Sequence, residues 1–222
     1  MPDCEVLDLG RLCYADALRF QQRTVDARKR GEAPDRFLLV EHSHVITLGR
    51  NARDSNVLAS TEVLARAGIE VYSADRGGDV TYHGPGQIVG YPIIDLREWK
   101  RDVVAYVRTL EQVLIDALAV FGLACGRDPA ATGVWTQGAK IAAIGVHISR
   151  WVTSHGFALN VSTDLSYFHY IVPCGLTRPV TSLRALGCQA SRGEMAAALI
   201  ESFGNNFGRR MLIPALTTEN PS

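Results

Sequence analysis

The sequence has no surplus of either charge: 23 basic side chains stand against 23 acidic ones over 222 residues, so nothing favours nucleic acid or an anionic membrane as a partner. Long hydrophobic runs are missing too. No apolar stretch approaches the roughly 20 residues that span a bilayer, and the opening MPDCEVLDLG lacks a signal peptide's basic start and apolar middle. The cytoplasm is therefore the expected location. Cysteine is scarce, at five residues, and Cys4, Cys13, Cys125, Cys174 and Cys188 show no Cys-x-x-Cys spacing. That argues against a disulfide framework or a zinc site and for reduced thiols, one of which can be reactive. Phosphate-binding signatures are absent as well. No G-x-x-x-x-G-K-[ST] occurs, and the glycines of RGGDVTYHGPGQIVGYPIIDL, residues 76–96, lead into an extended run instead of the helix a dinucleotide fingerprint requires.

What is present suits one globular domain over residues 1–222, with 47% apolar residues to build a core. YADALRFQQRTVDARKRG reads as an amphipathic helix from Tyr14 to Gly31, and RFLLVEH and VITLG as two strands, giving a β-α-β-β opening. A short helix is expected over 61–67 and a strand at IEVYSA. QIVGYPIIDL reads as extended, with Pro92 pointing to an edge strand or a bulge. Val103, Val107, Leu110, Leu114, Leu118 and Phe121 mark one face of a long helix. Residues 133–161 read as an antiparallel meander, and residues 192–207 as a last helix with Met195, Leu199 and Phe203 on one side. Residues 214–222 read as a loose tail. Strands and helices segregate instead of alternating, so the expected class is α+β: a mixed, largely antiparallel sheet flanked by helices.

Three features carry chemistry. In residues 76–87, Arg76, Asp79, Tyr82, His83 and Gln87 crowd a glycine-rich stretch with more hydrogen-bonding side chains than a hinge requires, which makes it a candidate substrate wall. Lys140 opens the apolar strand of AKIAAIGVHIS, where a lysine must find a partner unless it snorkels to water. Cys174 sits between proline and glycine in IVPCGL, where a thiol can face a cleft, although a lone cysteine is usually inert and buried. A reactive thiolate needs a nearby cation or base, and Lys140, His83 and His155 are rival partners.

RGGDVTYHGPGQ, then GVW, KIAAIGV, HGFALNV and PCG before TSL, in that order, resemble the octanoyltransferases of lipoate biosynthesis. These belong to the superfamily that also holds lipoate and biotin protein ligases, and the likeness covers roughly residues 36–186. The resemblance implies a biotin/lipoate-ligase-like catalytic domain. It assigns the acyl-thioester nucleophile to Cys174 and the lysine that lowers its pKa to Lys140. It places the acyl-binding wall on Arg76, Gly77, Gly78, Asp79, Val80, Thr81, Tyr82 and His83, with further contacts from Ala143, Ile144 and Gly145 and from Gly156, Phe157 and Ala158.

The implied reaction moves an octanoyl (or lipoyl) group from acyl carrier protein to a lysine of a lipoyl domain. The implied acceptors are the lipoyl domains of 2-oxoacid dehydrogenase complexes and the glycine cleavage H protein. A thioester donor is already activated, so neither ATP nor a metal or other cofactor is expected. Acidic protein partners would suit a local basic rim drawn from Arg36, Arg50, Arg76, Arg150 and Arg178. A monomer is expected. The competing classes are an ATP-dependent lipoate ligase, which would not need Cys174, a thioesterase, and a non-catalytic lipoyl-domain-binding module.

Overall fold

The structure, a computed structural model, describes residues 1–172 and 178–213. It opens with β1 (Asp3–Leu12), α1 (Tyr14–Arg30), β2 (Asp35–His42) and β3 (Val45–Leu48), the order read from the sequence. Gly31 stops α1 in the left-handed region at φ 76°, its N–H on the carbonyls of Ala27 and Arg28. Next come α2 (Thr61–Arg66), β4 (Glu70–Ser73), β5 (Val80–His83) and β6 (Gln87–Ile93). β5 lies inside the glycine-rich stretch, so that segment is part strand where the sequence suggested a connection.

The long helix follows as α3 (Val103–Ala119), then β7 (Gly126–Asp128) and the expected meander of β8 (Ala131–Thr136), β9 (Ala139–Ser149) and β10 (Val152–Asn160). α4 (Arg192–Phe207) begins with a reciprocal capping box between Ser191 and Glu194 and is followed by β11 (Arg210–Leu212). No helix of the described residues is long and apolar enough to cross a membrane.

Eight strands form one mixed sheet in the order β11-β1-β2-β6-β10-β9-β8-β7, and β4-β3-β5 form a second, smaller one. Within the large sheet only the β1 pairings are parallel. The apolar run of β2 explains its central place. Phe37 and Leu39 enter the core under α3 and α4, while Leu38 and Val40 enter the core under α1, as a period of two dictates for a strand covered on both faces. Val80 and Tyr82 of β5 pack with Ile46, Leu64 and Phe168 in a third core behind the small sheet.

Two expectations need correction. Val103 is exposed, and the buried face of α3 carries Tyr106, Val113 and Ala117 beside Leu110, Leu114 and Leu118. The face is broad because α3 packs on the sheet and on α4 together. Pro92 lies in the central strand β6, not at an edge. Pairing with β10 stops at Phe157–Gly90 and resumes at Asp95–Val152, so residues 91–94 face residues 153–156 with none inserted. The ladder opens where Pro92 has no N–H to give. Thr153 Oγ1 donates to the Pro92 carbonyl at 2.8 Å, and the N–H of His155, at φ 56°, donates to Gln21 Oε1 at 2.6 Å.

Candidate active site

Between the two sheets lies a cleft that encloses about 470 Å³ of empty space, open solvent included. One wall is Arg76, Gly78 and Asp79 with Thr81 and His83 of β5. The other is Ala143, Ile144 and Gly145 of β9 with Gly156, Phe157 and Ala158 of β10. The structure thus brings together most of the sequence-assigned wall. Gly77, Val80 and Tyr82 do not line it. The strand period turns Val80 and Tyr82 away to the third core, and Gly77 ties the loop to β9 by donating its N–H to the Val146 carbonyl at 2.9 Å. Tyr14, Val89, Tyr91 and His155 complete the lining. Only His155 stood out in the sequence, and as a rival base.

Gly145 lets the wall close. A Cβ there would lie 2.9 Å from the Gly77 carbonyl oxygen and 3.0 Å from Arg76 Cδ. Arg76 itself is buried, donating through Nη2 to the Thr47 carbonyl at 2.7 Å and to Thr47 Oγ1 at 2.8 Å. It anchors the loop and contributes nothing to an exposed basic rim. Arg36 is paired with Glu5 and Arg178 with Asp128, which leaves Arg50 and Arg150 as the exposed members of that set.

A smaller cavity of about 300 Å³ adjoins the first, sharing Thr81, Ala143 and Ala158 and adding Gln87, Lys140 and Asn160. Lys140 is buried, with 7% exposure, so it does not snorkel to water. Its Nζ lies 4.8 Å from the centroid of Trp135, whose ring also carries the Arg178 guanidinium at 4.0 Å. Among the described residues no carboxylate pairs with it. Gly133, at φ 126°, makes room for the stem, since a Cβ there would meet the Ala142 carbonyl at 2.6 Å and Lys140 Cε at 3.4 Å. Residues 179–181 run parallel to Lys140, its N–H donating to the Pro179 carbonyl and its carbonyl accepting from Thr181, both at 2.9 Å.

The proposed nucleophile, Cys174, falls in 173–177, outside the described residues. The other four cysteines are free, and none lines either cavity. Burial pushes the thiols of Cys4 and Cys125 up, away from reactivity.

The rival bases are occupied. His83 Nδ1 lies 2.8 Å from Gln87 Oε1, and Gln87 Nε2 donates to the Tyr82 carbonyl and to Asn160 Oδ1. That amide orientation leaves His83 the donor at Nδ1. Burial, reinforced by neighbouring His42, pushes the His83 pKa down to about 3. His155 Nε2 sits 2.6 Å from Asp75 Oδ1, yet burial outweighs the carboxylate and lowers its pKa. Backbone donors are partly committed too: Val80 N–H donates to Asp79 Oδ1 at 2.7 Å. Among the described residues no group of three His, Cys, Asp or Glu side chains could hold a metal ion.

Residues 13–204 match the family described as lipoyl protein ligase A/B catalytic domain. The chain belongs to that family. Within it, the chain is 60% identical to an octanoyltransferase of Solibacter usitatus over 96% of both chains. It is 53% identical to an octanoyltransferase of Koribacter versatilis over 94% of this chain and 86% of the other. The fold is that of a bipartite lipoate protein ligase of Thermoplasma acidophilum, with a TM-score of 0.77 at 16% identity over 98% of this chain and 88% of the other. In this lipoyl protein ligase A/B catalytic domain the cleft between the sheets and the cavity of the buried lysine share lining residues.

Proposed function

We propose that this chain transfers an octanoyl group from the thioester of an acyl carrier protein to a lysine of a lipoyl domain, through a thioester on Cys174. The observation that carries the reading is the cleft between the two sheets, which shares Thr81, Ala143 and Ala158 with the cavity that buried Lys140 lines. Relatives named octanoyltransferase at 53–60% identity give it its acyl group.

In the first half, the Cys174 thiolate, held by the Lys140 ammonium, attacks the thioester carbonyl. The carrier's sulfur leaves and takes a proton from Lys140. In the second half, a neutral lysine amine of the lipoyl domain attacks the acyl-cysteine. Lys140, now neutral, takes the amine's proton as Cys174 departs, which restores the starting ion pair and leaves an amide. His83 takes no proton in this scheme, because burial lowers its pKa to about 3 and its acceptor nitrogen, Nε2, faces Thr47 Oγ1 at 3.4 Å. The acceptors of this reading are the lipoyl domains of 2-oxoacid dehydrogenase complexes and the glycine cleavage H protein.

The test is intact-protein mass spectrometry after mixing the chain with octanoyl-acyl carrier protein without ATP, then adding an apo lipoyl domain. An octanoyl mass that maps to Cys174 and then moves to the domain is the expected result. Transfer that appears only with octanoate and ATP would make the chain a ligase and Cys174 a bystander.

A further inference from the structure

β9 carries one residue too many for its pairing with β8. The register steps from Val134–Ala142 to Trp135–Lys140, so Ile141 has no partner on β8. A bulge of this kind changes the face on which the residues beyond it emerge. Ala143 pairs with Ala158 of the core under α1, and Ala142 pairs with Leu159 of the core under α3 and α4. A strict period of two would send Ile141 to the first of these faces and Lys140 to the second. With the bulge, Ile141 stays beside Ala142 in the core under α3 and α4, at 0% exposure. Lys140 then emerges on the face of Ala143 and lines the smaller cavity with it. One inserted residue thus delivers Lys140 to the site.

The same step sets Lys140 opposite Trp135, the last residue of GVW, a motif to which the proposed reaction gives no part. The Trp135 ring is firmly held. It is buried, and its Nε1 donates to the Ala131 carbonyl at 3.2 Å. The Arg178 guanidinium lies 4.0 Å from its centroid while donating to Asp128 Oδ2 at 2.6 Å. The Lys140 ammonium lies 4.8 Å from the same centroid, and among the described residues no carboxylate pairs with it. An aromatic face attracts an ammonium through its quadrupole, most strongly for tryptophan and most when both are out of water, and a neutral amine lacks that attraction. The ring therefore bears on both the place and the charge of the lysine nitrogen. Trp135 itself lines neither cavity, so whatever it does for a substrate it does through Lys140.

We infer that Trp135 is a positioning residue for acyl transfer, its ring holding the Lys140 ammonium at the place the bulge prepares and favouring the charged form. The inference rests on the octanoyl-transfer reading for the role of Lys140. In the first half of that reaction the charged form holds the thiolate, and in the second the ring favours uptake of the acceptor amine's proton by Lys140.

The test compares the wild-type chain with Trp135→Phe and Trp135→Leu. Leucine keeps apolar bulk and loses the ring, so the difference between the two variants isolates the aromatic face. Three quantities are measured: steady-state octanoyl transfer, iodoacetamide alkylation of Cys174 against pH, and the NMR signals of a chain labelled with 13C at lysine Cε. The sequence holds three lysines, Lys29, Lys100 and Lys140, and Lys140→Met assigns the signal of interest. In the wild type that signal should stand apart from the other two, displaced by the ring current of Trp135, and in Trp135→Leu it should move toward them. Trp135→Leu should lower kcat by about tenfold or more with the donor KM within about threefold, and should move alkylation to higher pH. Trp135→Phe, with a weaker ring, should fall between, and it serves against the wild type where the leucine variant fails to fold. If the wild type transfers octanoyl while the folded variants keep its kcat and its alkylation profile, the inference falls and the transfer reading stands. If the wild type transfers nothing, the transfer reading falls, and the Lys140 signal alone decides whether Trp135 holds the ammonium.

Discussion

Gln87 Nε2 donates to Asn160 Oδ1 at 2.9 Å, and this bond joins the wall of the acyl cavity to the surroundings of Lys140. On one side a directed chain runs from Arg76 to Thr47, His83 and Gln87. On the other, Asn160 Nδ2 donates to the Thr181 carbonyl at 3.0 Å, and the Thr181 N–H donates to the Lys140 carbonyl. Asn160 is thus a positioning residue for the strand that lies along Lys140. Asn160→Ala leaves a buried amide and a buried carbonyl short of a partner, about 1–3 kcal/mol of penalty at the site. The expected outcome in steady-state transfer is a kcat lowered by roughly ten- to a hundredfold with the donor KM within about threefold. A variant that loses stability yet keeps kcat would show that Asn160 supports only the fold.

Lys140 offers a second prediction. If Lys140 holds the thiolate as proposed, Lys140→Ala should abolish transfer and raise the pH at which iodoacetamide alkylates Cys174. Lys140→Arg keeps the charge beside Trp135 but does not exchange a proton near neutrality. It should preserve the alkylation profile and still fail to complete transfer to the lipoyl domain. An alkylation profile that is the same in wild type and Lys140→Ala would return the proton-transfer role to a histidine.

The parts of the molecule that were legible in the sequence are those whose signal is local. Gly31 ends α1 where a left-handed residue is needed, and RFLLV carries the unbroken apolar run of a strand covered on both faces, as β2 is. Five of the eight motif positions at 76–83 converge with 143–145 and 156–158 on one cavity. What was not legible depends on partners distant in sequence. Pro92 is tolerated in β6 because Thr153 supplies a side-chain donor and Gln21 takes the N–H of His155, and no pattern around Pro92 announces either. Tyr14 reads as the first residue of an amphipathic helix, and only the packing of α1 on β10 brings it to the cavity. β7 and β11, three residues each, are too short to show a period.

Acid should destabilise the protein through its buried imidazoles. Burial lowers the pKa of His42 to about 4 and of His83 to about 3, and lowers that of His155. An unfolded imidazole titrates near 6.5. Below that pH the unfolded chain binds protons that the folded chain refuses, so stability is full above about pH 6.5 and is lost as pH falls toward 4 and 3. His42 Nδ1 faces the Leu12 carbonyl and Nε2 faces Tyr91 Oη at 2.7 Å, an arrangement suited to the neutral ring. The melting temperature should fall between pH 7 and pH 5, a window in which ordinary carboxylates scarcely titrate. His42→Gln should flatten that slope, and equal slopes in variant and wild type would remove His42 from the account.

Asp35 should prove the most costly carboxylate to remove for stability. It is 2% exposed and accepts from Arg28 Nε at 2.8 Å, from the Asp95 N–H at 2.9 Å and, on its other oxygen, from Arg209 Nε at 2.9 Å. Arg28 has further partners in Glu98 and Asp95. Arg209, by contrast, is 3% exposed and already has Nη2 without a partner. Asp35→Ala strands that guanidinium in the interior, at a cost of about 3–5 kcal/mol. A chain of this size loses roughly 2–4 °C of melting temperature per kcal/mol, so a fall of about 6–20 °C is expected. Replacing Arg209 with methionine in the same chain removes the stranded charge and should recover part of the loss. Neither residue lines either cavity, so octanoyl transfer measured well below the new melting temperature should stay close to wild type. A double variant no more stable than Asp35→Ala would mean that the penalty comes from the Arg28 and Asp95 side of the cluster.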